Sequence, residues 1–91
     1  MTAERGPVIK LTDAFTDGTT IFVNVRSDKY KRAMKGDAIA LAGVIAHEAW
    51  HVTHGFAEAP AYLEQLRVLR VLGATKSDIR AVERAAAQSR R

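Results

Sequence analysis

The sequence predicts a small α+β domain: a short N-terminal β-hairpin or small sheet packed on one buried helix, with two or three further helices. Three observations predict it. Runs rich in β-branched residues at 8–11 and 20–25 flank the turn formers Asp13, Asp17 and Gly18. An apolar run then begins at Ala38 and continues unbroken to Ala46, which is the pattern of a helix buried on all sides. Beyond it, Gly55, Pro60, Gly73 and Thr75 divide the remaining chain into helix-length pieces.

Each element follows from its local chemistry. In the second strand Ile21, Val23 and Val25 alternate with Phe22 and Asn24, so one strongly apolar face is expected to lie over the core. The basic, polar segment 26–35 reads as a solvated helix or connector. Asp37 stands where a helix N-cap belongs, and Gly55 is a natural stop, which gives a central helix of about 17 residues, roughly 25 Å long. Pro60 fits only the first turn of the next helix, expected to run to Leu72 and end at Gly73. Thr75, Lys76, Ser77 and Asp78 resemble a capping box that opens a last helix, with Asp in place of Glu.

Composition narrows the function classes. With 91 residues, 47% of them apolar and 26% charged, the chain suits one globular domain spanning 1–91 and excludes a disordered or fibrous class. Cysteine is absent, so no disulfide or thiolate site exists and any metal must be held by His, Asp or Glu. No apolar run approaches the roughly 20 residues of a membrane span, so a soluble cytoplasmic protein is expected. The formal charge is +4, yet all 14 Lys and Arg lie outside positions 36–66, the window that holds Asp37, Glu48, Glu58, Glu64 and all three His. Excluding cations while concentrating carboxylates and imidazoles is what a divalent metal site requires. The cations toward the C-terminus, among them Arg67, Arg70, Lys76, Arg80, Arg84, Arg90 and Arg91, alternate with acids and read as a solvated face in preference to a nucleic-acid footprint.

The motif His47-Glu48-Ala49-Trp50-His51 carries the chemistry. Two His four apart on a helix project from one face about one turn apart, within reach of a single zinc ion. Glu48, turned about 100° around the same helix, can address water on the metal without ligating it, which places it as a general base. Zinc acidifies bound water to a pKa of about 7 and polarises a carbonyl, so peptide hydrolysis follows from this set.

On these residues the chain resembles the zincin metallopeptidases, and through Glu58-Ala59-Pro60-Ala61-Tyr62 their gluzincin branch. The resemblance implies Zn2+ as cofactor, His47, His51 and Glu58 as its ligands, Glu48 as catalytic base, and a peptide or protein substrate. It covers roughly residues 37–72, with a hairpin ahead where that family places its substrate-binding sheet. An exposed edge of the 20–25 strand is then expected to hold extended peptide by backbone hydrogen bonds. A third His six residues after His51, as metzincins have, is missing because position 57 is Ala.

Glu64 competes with Glu58 for the third ligand position. Six residues apart on one helix they face different ways, so only one can reach the metal. Glu58 shares a face with Tyr62, Gln65 and Leu69 that can pack on the zinc helix, whereas Glu64 stands three residues before Arg67, an ion-pair spacing. His54 lies seven residues beyond His47, about 10 Å along the axis, too far for both to hold one ion. Tyr62 reads as a core or outer-shell residue, Trp50 as a packing residue, and Gly43 as a point where another backbone comes close.

Overall fold

The computed structural model describes residues 2–4 and 13–89. Strands β1 (Thr2–Glu4), β2 (Ala14–Thr16) and β3 (Ile21–Asn24) are followed by helices α1 (Asp28–Met34), α2 (Ile39–His54), α3 (Glu58–Leu72) and α4 (Lys76–Ser89). The α+β expectation holds, with three helices besides the central one among the described residues. The hairpin is shorter than the sequence predicts. The run at 8–11 lies outside the described residues, and the strand antiparallel to β3 is Ala14–Thr16, with Ala14 opposite Val23 and Thr16 opposite Ile21.

The turn is accordingly tight, and Asp13 belongs before the strand instead of in the turn. Asp17 closes it: one carboxylate oxygen accepts from the Thr19 N–H, the Thr19 hydroxyl and the Thr20 N–H, each at 2.9 Å. Gly18 adopts φ 98°, a conformation costly for any residue with a Cβ.

Sheet order is β1-β3-β2, with β1 parallel to β3. This corrects the expectation of an open edge on the 20–25 strand, because β3 is central and paired on both sides. The edge beside α2 is β2. Backbone bonds from Asn24 N to the Asp13 carbonyl and from Asp17 N to the Thr20 carbonyl mark hydrogen-bonded pairs. By the alternation of an antiparallel ladder, the N–H and C=O groups of Ala14 and Thr16 therefore point away from β3. No described strand pairs with them.

Helix α2 is the centre of the packing. No residue from 39 to 51 is exposed, as the all-round apolar run predicts. On one side Val44 meets Ala14 and Val23, joined by Ile21, Tyr30 and Leu41. Against α3 and α4 a second cluster forms from Leu66, Leu69 and Val82, with Ile39 and Tyr62 packed on it. Gly43 lets α2 and α3 come close: a Cβ there would stand 2.8 Å from Leu69 Cδ2 and 3.3 Å from Gln65 Cγ. The close neighbour is thus α3 and its side chains, where the backbone of the hairpin strand was expected.

One cap differs from the sequence reading. Asp37 does not cap α2; the N-cap is Ala38, with no side-chain bond. The Asp37 carboxylate is taken by the Arg32 guanidinium, at 3.0 Å from Nε and 2.8 Å from Nη2, a pairing in which both partners are charged, whereas a cap bond would have set the same carboxylate against neutral N–H groups. Segment 26–35 is a helix, capped by Ser27, whose hydroxyl accepts from Tyr30 N. Gly55 and Gly73 end α2 and α3 as predicted, Pro60 lies in the first turn of α3, and Thr75 Oγ1 accepts from Asp78 N at 3.1 Å.

Arg32 also grips Asp78 with two bonds, of 3.1 and 2.8 Å, tying α1 to the start of α4. That guanidinium holds the Asp78 carboxyl below its ordinary value of 3.8. A depressed carboxyl stabilises the fold above its unfolded pKa and loses that contribution as pH falls through the folded one. Asp78→Asn should therefore cost about 1 kcal/mol near neutral pH, discounted for the partly exposed guanidinium. Denaturant titration should show the gap to wild type closing as pH drops below 3.8.

Candidate metal centre

The i, i+4 spacing on α2 brings the His47 and His51 rings together, with their Nε2 atoms 3.1 Å apart. Both side chains are buried, at 7% and 6% exposure. Glu58, the first residue of α3, reaches across. Its Oε1 lies 3.1 Å from His47 Nε2 and 2.6 Å from His51 Nε2, and a carboxylate is favoured at that helix N-terminus.

Only six residues separate His51 from Glu58, and Gly55 makes so short a reversal possible. At φ 100° its N–H still closes α2 on the His51 carbonyl, while its own carbonyl accepts from His51 Nδ1 at 2.7 Å. Gln65, one turn beyond Tyr62 on α3 and buried, places its amide oxygen 3.0 Å from His47 Nδ1.

These two outer bonds determine which ring nitrogen carries the proton. Each Nδ1 faces a carbonyl-type oxygen and must donate to it, so each neutral ring turns an Nε2 lone pair inward. Two lone pairs and a carboxylate oxygen then converge with no donor among them, an arrangement that calls for a cation or an added proton at their centre. Bonds of about 2.0–2.1 Å to a tetrahedral ion would set neighbouring ligand atoms about 3.3 Å apart. The three edges here are 3.1, 3.1 and 2.6 Å, so the donor set fits a small divalent ion once the edges open, the shortest by about 0.7 Å.

The buried group His47, Glu48 and His51, with ligand atoms within 4.8 Å of one another, can hold a metal ion. Of the two glutamates near it, Glu48 stands off: its nearest oxygen is 3.8 Å from His47 Nε2, against 3.1 Å for Glu58. Burial pushes the Glu48 carboxyl up to about 7, with His51 opposing the shift and the Glu58 charge reinforcing it. Burial likewise draws His47 below its ordinary value, which keeps it neutral and able to ligate. Tyr62 is raised by burial and by both carboxylates.

The other sequence candidates fall outside the triangle. Glu64 bonds Arg67 at 2.7 and 2.8 Å in solvent, the ion pair its spacing predicts. His54 is exposed and stacks on Trp50 at 4.6 Å. Tyr62 packs edge-on against His47, with ring centres 4.4 Å apart.

Sequence reasoning put Gln65 on the right face without a role, and missed the Gly55 carbonyl as the partner of His51. Two openings flank the group and share Ala14, Glu48 and Glu58. One, of about 330 Å³, includes Tyr62 and Gln65; the other, of about 390 Å³, includes Thr16, His51 and Phe56.

Comparison of the chain with protein-family models, curated proteins and solved structures finds no match. Among the described residues no helix is long and apolar enough to cross a membrane.

Equilibrium titration with zinc should rank the variants by their place around the triangle. Glu64→Gln should leave affinity unchanged. Gln65→Met, which removes only the acceptor for His47 Nδ1, should weaken it about 10- to 100-fold, and Glu58→Gln by more than that. A larger loss in Glu64→Gln than in Glu58→Gln would overturn the assignment.

Proposed function

We propose that this chain is a minimal zinc-dependent peptidase, with the metal on His47, His51 and Glu58 and with Glu48 as general base. The observation that carries the proposal is the convergence of three lone-pair donors whose rings are locked from outside by Gln65 and Gly55. Bound there, zinc supplies Lewis-acid polarisation of the scissile carbonyl and acidifies an attacking water.

The chain's own residues do the rest. Glu48 lines both openings beside the triangle, and its proposed role is to accept the water proton and return it to the departing amine. The outward N–H and C=O groups of Ala14 and Thr16 offer an edge on which an extended peptide can add as a strand. That edge lines the opening that also contains Glu48, His51 and Glu58. The resemblance to gluzincins supports the same roles, and the proposed substrate is accordingly a peptide or an unstructured protein segment.

Replacing Glu48 with Gln removes the proton acceptor and none of the three proposed ligands. Zinc content should stay at wild-type level, while hydrolysis of an unstructured peptide pool should fall about 100- to 10,000-fold. If zinc-loaded wild type cleaves nothing across a diverse library, or Glu48→Gln cleaves equally well, the chain is instead a zinc-stabilised binding or regulatory module.

A further inference from the structure

Phe56 belongs to neither of the two apolar clusters. It lies between Gly55 and the start of α3, 68% exposed, in a small domain where most large apolar side chains pack. Its position is nevertheless specific. The ring stacks on His51 with centres 6.0 Å apart and planes 29° from parallel. Its tip reaches the hairpin, where a Cβ on Gly18 would be 3.6 Å from the Phe56 Cζ. The side chain thus spans from the α2–α3 turn to the hairpin tip and walls the opening of about 390 Å³ that contains Ala14, Thr16, Glu48, His51 and Glu58. The companion opening has Tyr62, Gln65 and Asp13 in place of Phe56, and there Asp13 is already bonded to Lys29 at 2.8 Å.

We propose that Phe56 is a specificity-determining residue, forming an apolar subsite that selects peptides with a large apolar or aromatic side chain next to the bond held at the metal. The inference rests on the metal-site reading above and adds the substrate class to it. A peptide lying along β2 has its side chains alternately on the two faces of the extended sheet. Thr16, His51 and Phe56 line one opening, so a peptide side chain turned into it would meet the Phe56 ring. An aromatic or branched side chain there buries its own surface and the ring's open face together, which a methyl group cannot do. The exposure of Phe56 in the free protein is then the exposure of a binding wall, like the aromatic anchors that dominate interfaces.

The test is direct binding to zinc-loaded protein of two dipeptide hydroxamic acids, one with a benzyl and one with a methyl side chain beside the hydroxamate. Wild type should prefer the benzyl compound by about tenfold or more. Phe56→Ala should lose most of that preference, weakening the benzyl compound far more than the methyl one, and Phe56→Leu should keep part of it. Because Phe56 is exposed, neither substitution threatens the fold. Equal binding of both compounds to wild type, or an undiminished preference in Phe56→Ala, overturns the subsite while leaving the metal centre standing. Failure of zinc-loaded wild type to bind either hydroxamate overturns the metal-site reading, and the subsite with it.

Discussion

The approach of α3 to α2 across Gly43 sets everything above it. With no side chain at 43, Leu69 and Gln65 settle directly on α2, and Leu69 is almost wholly buried, at 1% exposure. That contact places the Gln65 amide under the His47 ring and, one and two turns up the same helix, Tyr62 against its face and Glu58 over its edge. A wider spacing between the helices would break all three relations together. Glycine costs an isolated helix about 1 kcal/mol relative to Ala, and at this position the loss is offset by the packing of two helices whose geometry defines the site.

Burial around the triangle moves the pKa of an imidazole and that of a carboxyl in opposite directions for one reason. It disfavours the charged form of His47 and of Glu48 alike, leaving a neutral imidazole suited to ligation and a carboxyl poised between holding and releasing a proton. A divalent cation a few Å away would draw the Glu48 carboxyl back down. Glu58 differs in place: its side chain is 48% exposed and it stands at the N-terminus of α3, a position that favours a carboxylate. Division of labour between the two glutamates thus follows from where each is buried.

Much of this was legible in the sequence, for identifiable reasons. The central helix, the pairing of His47 with His51, the separation of Glu58 from Glu64 and the isolation of His54 all follow from 3.6 residues per turn, and the two helix stops follow from glycine. Less legible were features that depend on competition or on three-dimensional proximity. Asp37 is a good cap in isolation, yet Arg32 from the preceding helix claims its carboxylate. The hairpin contracted to Ala14–Thr16 against Ile21–Asn24 because Asp17 organises a tighter turn than the run of turn formers indicated. No periodicity reveals that the carbonyl of Gly55 serves His51, since a backbone acceptor leaves no trace in residue identity.

The central claim is that His47, His51 and Glu58 converge on one metal ion. X-ray absorption at the zinc edge, on protein loaded with one equivalent and dialysed, tests it most directly. The account predicts retained zinc with two imidazole nitrogens and carboxylate oxygen in the inner shell at about 2.0–2.1 Å. Zinc that dialyses away, or a shell containing a third imidazole, would contradict it.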